Sequence, residues 1–205
     1  MAASVVIALA GCGSKQDANK GNFKAAIQDY YDKTNGVCVM APAQAFPYKV
    51  EKMGGLRDMR HPVQAAALAR AGLLSEAEAE MPNEFPWNKT PIPANEYDLT
   101  DLGKKYLVKG AGGNIGAWDG FCTGKARVVD VESFTEPAER FGLKISEVHY
   151  AYEIPDAPDW AKVSDMRAAY PQLEAVSGKK RAKAALIATS EGWIHAEIYT
   201  KGLGK

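Results

Sequence analysis

The sequence has no excess of charge of either sign. Among its 205 residues, 25 Lys and Arg are balanced by 25 Asp and Glu. Affinity for nucleic acid depends largely on neutralising phosphates with clustered cations, so a chain of zero net charge is not expected to bind it. Long apolar runs are also missing, since none approaches the roughly 18 residues that span a bilayer. We therefore expect no nucleic-acid partner and no internal transmembrane helix.

Histidines and cysteines are scarce, which limits the catalytic and metal sites that the chain can form. The three histidines, His61, His149 and His195, lie far apart in the sequence. There is no His-Glu-x-x-His pair, no Gly-x-Ser-x-Gly turn and no cysteine at metal-ligand spacing. We therefore expect neither a metal nor a cofactor. With 46% hydrophobic and 24% charged residues, the composition is that of a globular protein.

The N-terminal segment has the composition of an export signal. Residues 2–10 are almost all small or aliphatic, and a polar stretch follows Cys12. Leu9, Ala10, Gly11 and Cys12 resemble the lipobox of bacterial lipoproteins, in which a peptidase cuts just before the cysteine. The resemblance implies a diacylglyceryl group on Cys12 and acylation of its new amino group. Gly13 follows the cysteine where aspartate would favour the inner membrane, so the resemblance implies the outer membrane, with the protein facing the periplasm.

This interpretation divides the N-terminus into two parts. Export signals normally open with positive residues, and none precedes the apolar run, so we expect the signal over residues 1–11 to be incomplete. Residues 12–21 are then a lipid-anchored tether, and the folded part begins near Asn22. The alternative is a buried N-terminal helix with an incidental cysteine.

Lipidation of Cys12 also accounts for the odd number of cysteines. Cys38 and Cys122 then remain as one possible disulfide pair in the oxidising periplasm. A bond closing so long a loop would stabilise the protein by roughly 4 to 5 kcal/mol. The alternative is that Cys38 and Cys122 are two unrelated buried thiols.

Residues 22–118 are predicted to form a helical α+β region. Asn22 is a suitable N-cap for an amphipathic first helix, and Val37–Met40 suits a short buried strand. Pro62 suits the first turn of a second helix, and Gly72 suits its end. Residues 110–116, which are rich in glycine, are predicted to be an interdomain loop.

Two segments of this region resemble a winged helix. Ala69–Leu74 ends a helix in a glycine and an aliphatic pair, and Tyr97–Gly103 carries the Tyr, Leu, Thr and Gly of a returning wing. Between them we expect a loop over residues 81–95 and a short strand over residues 96–99. The resemblance implies a winged-helix-like scaffold. DNA binding is a minor alternative, because the second helix is mostly alanine and offers few cations.

Residues 119–205 are predicted to form an antiparallel sheet with a packed helix. Alternating apolar and polar residues indicate half-buried strands, and prolines bound a helix between them. The predicted strands cover residues 126–134, 145–154, 184–189 and 193–200, with a helix from Asp159 to Tyr170. The fold class is therefore α+β, with a winged-helix-like half followed by an antiparallel sheet.

The sequence offers one weak catalytic hypothesis. His149 and His195 both fall on predicted strands, close to Glu147 and Glu197. If these strands are neighbours, the imidazoles and carboxylates could form an acid–base pair or a metal site. The alternative is two solvent-facing histidines without a catalytic role.

The last predicted strand also suggests an interaction surface. Trp193, His195 and Tyr199 would lie on one face, together with Glu197. Aromatic residues on an exposed face often contact partner proteins. The alternative is that a helix covers this face and its aromatic residues belong to the core.

These observations favour a lipid-anchored protein of the bacterial envelope with a non-catalytic binding role. Its expected partners are the membrane, through Cys12, and another envelope protein or envelope component; an inhibitor or immunity protein belongs to this class. The alternative is a periplasmic enzyme that uses His149 and His195. A winged-helix DNA-binding regulator is the minor alternative.

Overall fold

The computed structural model describes residues 14–52, 62–83, 87–111 and 118–203. The protein is α+β with antiparallel sheets, as predicted. Its helices and strands are α1 (Lys20–Asp32), β1 (Cys38–Met40), β2 (Tyr48–Glu51), α2 (Pro62–Arg70), β3 (Leu74–Met81), β4 (Ile92–Leu99), α3 (Asp101–Tyr106), β5 (Leu107–Val108), β6 (Gly120–Cys122), β7 (Arg127–Phe134), β8 (Ala138–Arg140), β9 (Leu143–Glu153), α4 (Ser164–Ala169), β10 (Lys180–Thr189), β11 (Gly192–His195) and α5 (Ala196–Leu203). Two 3₁₀ helices, Asp159–Lys162 and Pro171–Val176, flank α4.

The chain forms two compact units. The terminal unit contains the described residues up to Tyr30 together with Asp130–Ala151 and the residues from Arg181 onward. The central unit contains Tyr31–Val129 and Tyr152–Lys180. This division differs from the predicted one at residue 118, because most of the first helix belongs with the C-terminal strands.

The terminal unit contains a five-stranded sheet and helix α1. The sheet order is β11–β10–β9–β7, with β8 paired to β9. Phe23 and Ile27 of α1 are fully buried, and the Phe23 ring meets those of Phe134 and Trp193 edge-on, each at a centroid distance of 4.8 Å. The amphipathic pattern of α1 therefore supplies one side of this unit's core.

Helix α1 begins earlier than predicted. The Asn19 side-chain oxygen accepts a hydrogen bond from the Asn22 backbone N–H at 2.9 Å, and the Asn19 carbonyl accepts one from Phe23. Asn19, and not Asn22, is thus the capping residue. The sequence contains both asparagines, and only the backbone geometry distinguishes them.

The central unit contains two three-stranded antiparallel sheets, in the orders β1–β6–β5 and β2–β4–β3. Helix α2 buries Ala65, Ala67 and Leu68 in the core of this unit. The helix ends at Arg70, and Gly72, just beyond it, has a φ of +78° that suits glycine. In the same unit, the Thr100 side chain caps α3 by accepting a hydrogen bond from the Gly103 N–H.

The structure corrects two strand predictions. Residues 74–81 form β3, for which no strand was predicted, and β4 begins at Ile92, within the predicted loop over residues 81–95. The predicted strand over residues 193–200 stops at His195, and α5 follows. Among the described residues, no helix is long and apolar enough to cross a bilayer.

Candidate functional site

The structure pairs His149 with Glu147, as the catalytic hypothesis required. His149 Nε2 lies 3.0 Å from Glu147 Oε1, and Lys183 Nζ lies 3.7 Å from the same oxygen. The hydrogen bond to His149 and the charge of Lys183 lower the pKa of the Glu147 carboxyl. About half of each partner's side chain is exposed, so water competes for both groups and weakens this pairing as an acid–base device.

His195 lies in a different environment, under the C-terminal part of α1. It is buried, and its ring stacks on Tyr30 at a centroid distance of 3.9 Å. Its Nδ1 accepts a hydrogen bond from the Glu197 backbone N–H at 3.3 Å. The Tyr30 hydroxyl donates to Glu197 Oε2 at 3.1 Å. The strand end, helix α1 and the first turn of α5 therefore meet at these three residues.

The electrostatics of this cluster keep the Tyr30 hydroxyl protonated, as a hydrogen-bond donor. Burial of the Tyr30 hydroxyl and the negative charge of Glu197 raise the pKa of Tyr30 to about 12. A phenol with so high a pKa stays protonated near neutral pH and acts as a hydrogen-bond donor. Tyr30 thus ties α1 to the beginning of α5.

The two histidines do not form one site. On β9, His149 is exposed, whereas its neighbours Val148 and Tyr150 are buried. His195 lies on the face that α1 covers, because its ring stacks on Tyr30 of that helix. Because side chains alternate along a strand, His149 and His195 lie on opposite faces of the sheet. The structure therefore pairs His149 with Glu147 and His195 with the Glu197 backbone, and it does not bring the two pairs together. His61 lies outside the described residues.

The predicted interaction surface is also not a surface. Trp193 and His195 are buried, at 9% and 7% exposure, and Tyr199 lies on α5, not on the strand. The Trp193 indole N–H donates to the Gln16 and Asp17 carbonyls at 3.1 and 3.2 Å. Trp193 and His195 therefore belong to the core beneath α1, which is the alternative that the sequence left open.

The residues expected to form a free tether are bound to the terminal unit. Besides the contacts from Trp193, the Gln16 side-chain amide donates to the Ser190 carbonyl at 2.8 Å. The Asn22 amide donates to the Ser14 and Asp17 carbonyls at 2.8 and 2.9 Å. The part of the predicted tether from Ser14 onward is therefore folded, and Cys12 lies outside the described residues.

The structure contains the predicted bond between Cys38 and Cys122. The two cysteines face each other in register on β1 and β6 of the central unit. They are 84 residues apart in sequence, so the bond closes a long loop.

An exposed hairpin of the central unit was not predicted from the sequence. Strands β3 and β4 pair over eight residues. Together with residues 82–83 and 87–91, the described part of their connection, we call them the arm. Strand β3 is the outer strand of its sheet and carries glutamates at alternate positions, Glu76, Glu78 and Glu80. Trp87, in the connection, is 81% exposed. The alternating Glu and Ala of residues 76–80, and a tryptophan among prolines, were the available signals.

Two of the arm's glutamates already have partners within the central unit. Glu76 Oε1 accepts hydrogen bonds from the Tyr97 hydroxyl at 2.9 Å and the Asn95 amide at 2.6 Å. Lys52 Nζ lies 2.7 Å from Glu78, and this bond lowers the pKa of the Glu78 carboxyl. The Glu78 side chain is 90% exposed nevertheless. The arm is thus joined to the rest of the central unit through Glu76 and Glu78, and its outer strand β3 is acidic.

The described residues contain no cluster suited to a metal ion and one small cavity of interest. Within the described ranges, no group of three or more His, Cys, Asp and Glu could hold a metal ion. A cavity of about 150 Å³ is lined by Met40, Ala41, Pro42, Gln64 and Tyr170. The Tyr170 hydroxyl donates to the Met40 carbonyl at 3.2 Å, and burial raises its pKa. The cavity lining therefore has no group that is charged at neutral pH.

Comparison with models of protein families, with curated proteins and with solved structures found no match to this chain.

Proposed function

We propose that the protein is a lipoprotein of the bacterial envelope, anchored through Cys12 in the periplasmic leaflet of the outer membrane. Two features support the proposal: the lipobox-like residues 9–12 and the Cys38–Cys122 disulfide. Disulfides persist in the periplasm and are rare in the cytosol. The disulfide also leaves Cys12 as the one cysteine outside it, as lipid attachment requires.

Intact mass spectrometry tests this proposal directly. The protein is expressed in a bacterium behind a complete export signal and measured before and after reduction and alkylation. We expect a mass that begins at Cys12 and includes lipid, with two thiols appearing only on reduction. Cys12→Ser should lose the lipid and keep the disulfide, whereas Cys38→Ser should keep the lipid. An unprocessed chain with three free thiols would overturn the proposal.

We propose a binding role, and the observation that carries it is the arm. An outer strand presents backbone groups to which an extended peptide can pair, and alternate side chains then set specificity. Glutamates at every second position of β3 suit a strand that carries Lys or Arg, and an exposed Trp suits an apolar or cationic contact. The proposed partner is an extended, basic segment of another envelope protein; an inhibitor or immunity protein would act in this way.

Photocrosslinking in intact cells tests the arm. A photoreactive residue is placed at Asn88, beside Trp87, and a matched one at Val63, which is 64% exposed on α2. We expect a discrete crosslinked species from position 88 that disappears in the Trp87→Ala background. The same species from position 63, or one that survives Trp87→Ala, would contradict the proposal.

A winged-helix-like arrangement of residues 22–118 remains a proposal about the fold. It is supported by the order α2, β3, a long connection, β4 and then the Thr100-capped α3. DNA binding is not favoured by it, because Arg70, the only cation of α2, lies 2.6 Å from Asp165. A salt-dependent shift of DNA mobility by the protein would reverse this view.

A further inference from the structure

A fully exposed phenylalanine lies at the tip of the β8–β9 hairpin. Arg140 pairs with Leu143, so the turn consists of Phe141 and Gly142. Both residues have positive φ, 54° for Phe141 and 72° for Gly142. The Phe141 side chain is 101% exposed. An unfavourable backbone conformation and an unburied aromatic ring thus coincide in one residue.

The fold does not account for this choice of residue. Two-residue hairpin turns with positive φ at both positions prefer Asn-Gly or Asp-Gly, because a bulky side chain is disfavoured there. Phe141 gains no burial in return. Residues held in such conformations without a structural benefit often serve a function.

The tip lies at the same end of the sheet as the turn that Gln16 contacts, and this position indicates a function for Phe141. Strands β9 and β10 are neighbours in an antiparallel sheet, and Glu147 of β9 contacts Lys183 of β10. The start of β9 therefore lies beside the end of β10, and the turn that precedes β9 lies at the same end of the sheet as the turn at residues 190–191. Gln16 binds that second turn through Ser190.

This end of the terminal unit is where a lipid anchor would hold the protein. Cys12 precedes Ser14 by two residues, so its Cα lies at most about 7 Å from that of Ser14. This placement rests on the proposed lipidation of Cys12. A lipid on Cys12 would bring the residue 190–191 turn and the Phe141 tip to the bilayer surface together.

We propose that the Phe141–Gly142 turn is a second membrane contact, in which the Phe141 ring enters the interfacial region of the bilayer beside the lipid anchor. Aromatic rings favour this region of a membrane. One ring alone binds weakly, but the anchor supplies a high effective concentration of bilayer. Arg140 adds a cation at the tip, while Lys144 faces Glu139 across the hairpin. The contact should therefore depend mainly on the ring and only weakly on salt.

Fluorescence on vesicles tests the contact. The chain from residue 12 onward, with Cys12→Ser and an N-terminal hexahistidine tag, is bound to phosphatidylethanolamine–phosphatidylglycerol vesicles that contain a nickel-chelating lipid. Because the chain has four tryptophans of its own, the environment of the tip is read from the difference in emission between Phe141→Trp and the parent chain, and position 130 is read in the same way. With bromine atoms on the acyl chains, we expect a loss of the emission from position 141 and a shift to shorter wavelength.

A matched variant provides the control. Asp130 is exposed at the start of β7, and the antiparallel pairing of β7 with β9 places it roughly 30 Å along the sheet from the tip. Asp130→Trp should give the same emission with and without bromine. Equal quenching of the 130 and 141 variants, or quenching of neither, would overturn the proposal.

A second measurement covers the case in which Phe141→Trp disturbs the hairpin. In the parent chain, amide hydrogen exchange of residues 138–145 should slow when the protein is tethered to vesicles, and Phe141→Asn should abolish the change. Unchanged exchange in the parent chain would contradict the proposal. Because nickel lipid replaces the natural anchor, these results are independent of lipidation at Cys12, which the intact mass decides separately.

Discussion

At the scale of single residues, the disulfide between Cys38 and Cys122 is expected to stabilise the central unit. Their bond closes a loop of 84 residues. We expect Cys38→Ser with Cys122→Ser to lower the free energy of unfolding by about 4 to 5 kcal/mol, since the open chain gains conformational entropy when unfolded. Urea unfolding measures the change. Reductant should bring the parent protein to the stability of the double variant, and Cys12→Ser should have no effect.

Phe141 is expected to reduce the stability of the folded protein. Phe141→Asn should raise the free energy of unfolding by about 1 kcal/mol, because asparagine tolerates the left-handed conformation better. Thermal or urea unfolding of the unlipidated chain measures it. Gly142→Ala is the opposite control, since it places a Cβ at a φ of 72° and should destabilise the turn. A stability loss in Phe141→Asn would mean that the ring supports the fold.

Tyr30 should make stability depend on alkaline pH. Its pKa is raised from 10.0 to about 12 in the folded protein, so the folded state holds its proton more tightly than the unfolded state. The resulting stabilisation is present below pH 10 and is lost as the pH rises towards about 12. Tyr30→Phe should flatten the pH profile of unfolding over this range relative to the parent. Identical profile shapes would show that the burial of Tyr30 and its contact with Glu197 are not maintained in solution.

At the scale of elements, Gly103 determines how closely α3 approaches the end of α2. A Cβ at this position would lie 2.0 Å from the Leu73 carbonyl oxygen. Gly103→Ala should therefore destabilise the protein by about 2 kcal/mol or more, since backbone must move. Gly110→Ala is a useful comparison. Its Cβ would meet nothing within 4 Å, so only the strain of a φ of 64° remains, about 1 kcal/mol.

The elements that the sequence predicted were those with strong local signals. Helix α1 follows from apolar residues at helical spacing, and the β10–β11 hairpin follows from apolar strands around a glycine turn. Strand β3 was not predicted because its Glu and Ala residues have low strand propensity. Its extended conformation is stabilised by backbone pairing with β4, which no local pattern reports. Helix α5 was predicted as strand because Ile194, Ala196 and Ile198 alternate over too few residues to distinguish the two periods.

The candidate site was predictable only in part, for the same reason. Glu147 and His149 are two residues apart on one strand, so their contact follows from alternation. Whether His195 shares their face depends on strand order and register, which no local pattern reports. Burial of Trp193 under α1 likewise depends on the position of the N-terminal residues.

At the scale of the whole molecule, Trp193 holds the segment at Gln16 and Asp17. Trp193→Phe keeps the ring and removes the donor to the Gln16 and Asp17 carbonyls. We expect faster trypsin cleavage after Lys15, because the segment opens more often. Tyr199→Phe, on α5, is the matched control and should leave the rate unchanged. Equal cleavage in the Trp193→Phe variant and the parent would show that packing alone retains the segment.

The same closure sets the order in which the protein can assemble during synthesis. The contact between Gln16 and Trp193 spans 177 residues, so α1 emerges from the ribosome long before the strands on which it packs. Phe23 and Ile27 therefore stay uncovered until nearly the whole chain has been made, whereas residues 31–129 of the central unit, including both bonded cysteines, are already complete. Pairings of such long range form slowly. Helix α1 is thus among the last of the described elements to pack. A nascent chain stalled before residue 193 would leave Phe23 and Ile27 exposed.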